Sequence, residues 1–138
     1  MMEGPWQRMD AQHRRSFKTL AASEIPESAG VYAVYRNGRR MYVGKANSLR
    51  SRIWGNHSGR GAVMTGSALR RNVAEHLGIG SAADIKARRI QPTADQVAEV
   101  RSWLDECSIA WMECQDAAAA VTLEIELKAV FKPPLTKT

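Results

Sequence analysis

The sequence predicts an α+β domain: a small antiparallel sheet of three strands flanked by helices. Two β-branched and aromatic runs, Val31–Tyr35 and Met41–Val43, bracket Asn37-Gly38, the strongest hairpin turn signal in the chain. A third alternating run, Cys107–Cys114, lies far downstream. Helical periodicities fill the interval and the C-terminus. At 138 residues the chain supports one domain, and an apolar fraction of 44% with four tryptophans supplies a single core.

Each element has a local cause. Residues 1–15 are polar and read as irregular, and residues 1–24 as a whole read as a partly flexible lead-in. Ser16 to Ile25 reads as a short helical turn. Pro26 and Gly30 bracket a loop before the first strand. Asn47 or Ser48 caps a helix from Leu49, with Leu49 and Ile53 on one face and Gly55 at its end. Ser58 to Gly66 is glycine-rich and reads as a loop. Ala68 to Leu77 places Leu69, Val73, His76 and Leu77 on one side, and Gly78 and Gly80 close it. Residues 81–92 carry a basic cluster, Lys86, Arg88 and Arg89, before Pro92. Thr93 or Asp95 caps a helix to about Glu106. Asp116 caps a long helix, Ala117 to Phe131, which Pro133-Pro134 ends.

Composition narrows the partners. The formal charge is +6 and the pI about 9.7, with arginine in excess of lysine. Such a surface attracts nucleic acid, anionic membranes or acidic proteins alike. Arginine adds a planar, two-pronged grip on phosphate. No apolar run reaches membrane-spanning length, and the N-terminus lacks the layout of a secretion signal, so a cytoplasmic protein is expected. Cys107 and Cys114 would stand roughly 23 Å apart on a strand rising about 3.3 Å per residue, too far for a disulfide. Both read as reduced packing residues.

Two tripeptides stand out, Gly30-Val31-Tyr32 and Tyr42-Val43-Gly44. Lys45-Ala46-Asn47-Ser48-Leu49-Arg50-Ser51-Arg52 follows them. Near the C-terminus come Glu124-Ile125-Glu126-Leu127 and Phe131-Lys132-Pro133-Pro134. In this order and spacing the segments resemble the GIY-YIG nuclease family, with valine for isoleucine in both tripeptides. The resemblance covers residues 25–56 and 120–135. It implies a GIY-YIG endonuclease-like fold over residues 25–138, with a helical insertion at about 58–106. It places Arg52 on the family's essential arginine and Glu124, not Glu126, on its metal-ligand position. Where the family often has a histidine or tyrosine one turn beyond that arginine, this chain has Asn56, with His57 beside it. Where asparagine often follows the prolines, it has Thr136.

Read as residues alone, Glu124 is the most telling. It lies in the helical stripe of Ala120, Leu127 and Phe131, while Glu126 points away. A carboxylate in an apolar face must be paired, protonated or metal-bound. A salt bridge to a core arginine and a metal site both meet that need. A single carboxylate with water ligands suits Mg²⁺, or Mn²⁺ in its place. Arg52 can donate two hydrogen bonds to one phosphate and stabilise the charge that builds on it. Read without the motif it is a solvated helix arginine, one of many in the chain.

Tyr32 and Tyr42 read as core packing or as groups that orient and deprotonate water. A phenol with pKa near 10 is a poor base unless a cation, from Lys45 or a metal, lowers it. The family implies water activation by one or both; Tyr42 is the candidate for activation and Tyr32 for orientation. Lys45 is a second base candidate. If the tyrosines act together, a three-residue turn with left-handed Gly38 would set them directly opposite. Arg50, His57, Arg70, Arg71, Arg88 and Arg89 are candidates for a nucleic-acid backbone, or else solvated surface.

The functional expectation is a divalent-metal-dependent endonuclease hydrolysing phosphodiester bonds in DNA. No separate DNA-binding domain is evident, so specificity would come from residues 58–106, a homo-oligomer or a partner protein. The alternative is a non-catalytic nucleic-acid-binding module on the same fold, which would bind with steep salt dependence and not cleave. A protein-interaction domain meeting an acidic partner is a third reading.

Overall fold

A computed structural model describes residues 4–57 and 66–137, the side chains of Asn56 and His57 excepted. The strands are β1 (Arg15–Ser16), β2 (Gly30–Arg36), β3 (Arg39–Ala46) and β4 (Ser108–Glu113). They form one antiparallel sheet in the order β1-β4-β2-β3. The sheet therefore has four strands, not the expected three. The extra one is a two-residue edge pairing onto β4, too short and too polar to carry a sequence signal.

β2 is central, and its residues from Gly30 to Tyr35 are all buried, which is why this run shows no polar alternation. On one face Tyr32, Val34, Tyr42 and Ile109 pack against Leu49, Ile53, Leu69, Val73 and Val100. Those residues come from the segment after β3 and from α2 (Ala68–His76) and α4 (Ala94–Asp105). On the other face Val31, Ala33, Tyr35, Val43 and Ala110 pack against Trp6, Met9, Ala120 and Leu127. Here the covering helices are α1 (Pro5–Asp10) and α5 (Ala117–Val130). The result is three layers with the sheet in the middle. No helix among the described residues is long and apolar enough to cross a membrane.

Several local expectations are corrected. The irregular N-terminal stretch contains α1, whose Trp6 indole donates to the Leu127 carbonyl at 2.8 Å and the Phe131 carbonyl at 3.1 Å. The indole thus ties together the Leu127 carbonyl, which also accepts the Phe131 N–H, and the Phe131 carbonyl just past the end of α5. A tryptophan and a methionine one turn apart are an apolar face, but a single turn is too short to register as a periodicity. The basic stretch 81–92 holds α3 (Ala82–Lys86), with Ser81 as its cap. The helix carrying Arg52 is a π-helix over Ser51–His57, the wide form that recurs at functional sites. The loop expected at 58–66 lies, but for Gly66, outside the described residues. Cys107 and Cys114 are free thiols, and burial pushes the Cys107 thiol up to about 12.

Candidate active site

The hairpin decides where the tyrosines go. Asn37 and Gly38 both adopt positive φ, 54° and 76°, in a tight turn closed by Arg36 and Arg39. The three-residue turn is thus overturned. Tyr32 pairs with Gly44 and Val34 with Tyr42, whereas Tyr35 pairs with Arg40. Met41 is the extra residue of a bulge, and it shifts the register by one. Without the bulge the two tyrosines would face opposite sides. With it they share a face as diagonal neighbours, ring centroids 6.1 Å apart and planes tilted by 32°.

Both motif glycines are required by close approach. A Cβ on Gly44 would lie 2.5 Å from Tyr32 Oη and 2.6 Å from its Cζ. A Cβ on Gly30 would collide with the Met112 carbonyl oxygen and stand 2.7 Å from Leu49 Cδ1. Gly44 makes the hollow in which the Tyr32 hydroxyl rests. Gly30 lets β4 and the start of the Arg52 segment close around β2.

The two hydroxyls are hydrogen-bonded to each other. Burial raises both phenols. A negative charge on Tyr42 would raise Tyr32 further, and with their hydrogen bond it holds Tyr32 well above its ordinary value. The same bond and the Arg52 charge pull Tyr42 back down, without reversing the effect of burial. In the protein alone desolvation outweighs the neighbouring cations, so neither phenol falls below its ordinary value. Of the pair, Tyr42 gives up its proton more readily.

Arg52 is partly buried, placed by Leu49 and Ile53, which are fully buried on the tyrosine face. Its charge acts on both phenols. Glu124 is 7% exposed on α5 and also acts electrostatically on both. Its partners are lysines, not the core arginine considered from sequence. Lys45 Nζ is 3.5 Å and Lys128 Nζ 3.2 Å from its Oε1.

Tyr42 and Glu124 open together into a cleft of about 450 Å³ at the outer edge of β3. Its far wall carries Arg71, Asn72 and Glu75 of α2 and Lys86 of α3. The C-terminal tail runs along the edge of β3. Leu135 N–H donates to the Met41 carbonyl at 2.9 Å, and the Val43 N–H donates to Thr136 Oγ1 at 3.0 Å. Asn72 holds the tail through the Leu135 carbonyl at 2.9 Å, and Lys137 pairs with Glu75 at 2.5 Å.

The nominated basic residues separate. Arg71 faces the cleft, and its charge is felt by Tyr42. Arg70 is 4% exposed and lies beside Arg101, where burial lowers it; it is removed from any nucleic-acid surface. Arg50 braces the loop before β2, donating to the Ile25 carbonyl at 2.8 Å and pairing with Glu27 at 2.7 Å. Arg88 and Arg89 are exposed outside the cleft lining, Arg88 at positive φ and Arg89 paired with Asp84 at 2.7 Å. The His57 side chain lies outside the described residues. The sequence reading missed Asn72, Glu75, Lys86 and Lys128. Lys86 stood out only as part of a basic cluster before Pro92, and Lys128 only by its i,i+4 spacing from Glu124.

Nothing in the described residues groups three or more His, Cys, Asp or Glu side chains into a metal cluster. What is present is one buried carboxylate facing a polar cleft, already drawing positive charge. That donor set fits a hard, water-rich ion such as Mg²⁺ and not a thiolate or imidazole metal.

This hairpin, helix-borne arginine and inward carboxylate define a nuclease-type catalytic centre of the GIY-YIG class. The sequence pattern of the GIY-YIG catalytic domain matches residues 13–138, and the chain belongs to that family. Among solved structures it is similar to the GIY-YIG N-terminal endonuclease domain of UvrC from Thermotoga maritima. A magnesium-bound form is 17% identical over 98% of both chains, with a TM-score of 0.44. Two point mutants of that domain, bound to its catalytic divalent cation, are 17% identical over 100% of both chains, with TM-scores of 0.47 and 0.46. No curated protein matches.

Proposed function

We propose that this protein is a divalent-metal-dependent endonuclease that hydrolyses phosphodiester bonds in DNA. One observation carries the reading: Tyr42 and Glu124 line one cleft, with Tyr32 hydrogen-bonded behind Tyr42 and the Arg52 charge acting on both phenols. Glu124 would hold the ion, Mg²⁺ or Mn²⁺. When bound, the ion supplies positive charge to the phosphate oxygens and the leaving oxygen.

The remaining chemistry falls to the chain. Arg52 donates to nonbridging oxygens as charge builds on them. Tyr42 orients the attacking water through its hydroxyl and, as the phenolate, would accept the water's proton once its own has passed to solvent through the cleft it lines, while Tyr32 fixes the Tyr42 oxygen. Lys45, read from sequence as a second base candidate, completes the positive charge around Glu124; an ammonium has no lone pair to take a proton, so its role in this pairing is electrostatic. Arg71 and Lys86 hold the backbone on either side of the scissile bond. Of the expected insertion at 58–106, α2 and α3 wall the cleft, and the unit they complete takes in α1 and β1 ahead of residue 25; a partner protein or second copy adds specificity. The site of action is the cytoplasm.

Incubation with supercoiled plasmid and branched DNA tests this. Nicking in Mg²⁺ that stops in EDTA is expected. Salt-sensitive binding without metal-dependent cleavage would replace the reading with a non-catalytic binding module.

A further inference from the structure

The Glu124 carboxylate already has cations beside it. Lys45 Nζ at 3.5 Å and Lys128 Nζ at 3.2 Å converge on the same oxygen, Oε1. Lys45 reaches it from β3 and belongs to the proposed catalytic set. Lys128 reaches it from one turn along α5 and has no part in that set. The carboxylate side chain is 10% exposed and that of Lys128 21%, so the contact is poorly screened. Two positive charges face one negative one, and Arg52 adds to the excess. A divalent ion brought to Glu124 would meet Lys128 where its own charge must go.

We infer that Lys128 is a built-in counterion for Glu124 that competes with the divalent ion. This rests on the reading of Glu124 as the metal ligand. The lysine stem is flexible and its ammonium a compact, partly exposed point charge, so it can leave toward solvent. Glu124 is held by the buried face of α5 and stays. The ion alone therefore binds weakly, because it must displace a cation and sit near another. A nucleic-acid phosphate returns the missing negative charge, so ion and substrate strengthen each other's binding reciprocally.

Titration of the full chain with Mn²⁺ alone, followed by the paramagnetic resonance of the free ion, tests this without any cleavage. Lys128→Met keeps the apolar stem and removes the charge. It should tighten Mn²⁺ binding by about tenfold or more, the effect of one unit charge a few ångströms from a divalent ion at near-aqueous dielectric. Lys128→Gln should do the same, and Lys128→Arg should stay near wild type. Adding Glu124→Gln to Lys128→Met should abolish the gain. Affinities for Lys128→Met and Lys128→Gln within twofold of wild type, or no saturable Mn²⁺ binding in either, would overturn the counterion role. A gain that survives Glu124→Gln would instead remove Glu124 as the ligand, and the inference with it.

Discussion

At the scale of single residues, the site is set as much by what is absent as by what is present. Gly44 has no side chain because the Tyr32 hydroxyl occupies that space. Gly44→Ala would push Tyr32 off Tyr42 and break their hydrogen bond. Overpacking of this kind costs about 1–3 kcal/mol, and the expected loss of cleavage exceeds what that destabilisation explains. Thermal melts and rates measured on the same preparation separate the two; a variant with unchanged rate would show that the tyrosine pair is only packing. Glu124 was legible from periodicity, since a carboxylate in an apolar stripe needs a reason. Its lysine partners were not. Helical spacing puts Lys128 within reach, but only the tertiary approach of β3 to α5 brings Lys45 there.

At the scale of elements, the N-terminal helix is the part that sequence reading undervalued. Asp10 accepts hydrogen bonds from Tyr35 at 2.8 Å and from Arg40, while the Arg40 guanidinium stacks over Trp6 at 4.5 Å. Burial by itself would raise the Asp10 carboxyl, but the Arg40 and Tyr35 hydrogen bonds outweigh it and hold it below its ordinary value. A depressed folded value stabilises above the unfolded pKa near 4 and ceases to do so as pH falls through the lower folded value. Urea midpoints for wild type and Asp10→Asn should therefore differ at about pH 6 and converge toward about pH 2. A gap that ignores pH would remove the carboxylate from the anchoring of α1. Trp6→Ala deletes a buried ring and its indole hydrogen bonds to two carbonyls at the end of α5. The expected cost is about 3–5 kcal/mol, or a melting temperature lower by on the order of 10 °C. A loss under about 1 kcal/mol would mean that α1 is dispensable. The hairpin was legible because Asn37-Gly38 names its turn. The register was not, because a bulge at Met41 leaves no mark in composition. Sequence did locate α5 and its cap Asp116, where an N-cap, an apolar run and a double proline agree.

At the scale of the whole molecule, the cleft is assembled from parts that the sequence presents as unrelated. Tyr42 comes from the hairpin, Glu124 from the last helix, and Arg71 and Lys86 from a segment with no recognisable motif. The family resemblance made the hairpin, Arg52 and Glu124 legible, because their chemistry constrains residue type. It left the opposite wall unread, since any basic helix surface of suitable shape would serve there. The surplus of positive charge, +6 over the chain, suits a polyanionic partner without choosing a sequence. The account stands on one claim, that Glu124 does its work through a divalent ion at the scissile phosphate. Single-turnover cleavage of plasmid DNA in Mg²⁺ by wild type and Glu124→Gln, with DNA affinity measured beside it, tests that claim most directly. The account predicts a rate loss of about 100-fold or more with affinity nearly retained. Cleavage by Glu124→Gln at the wild-type rate would contradict it.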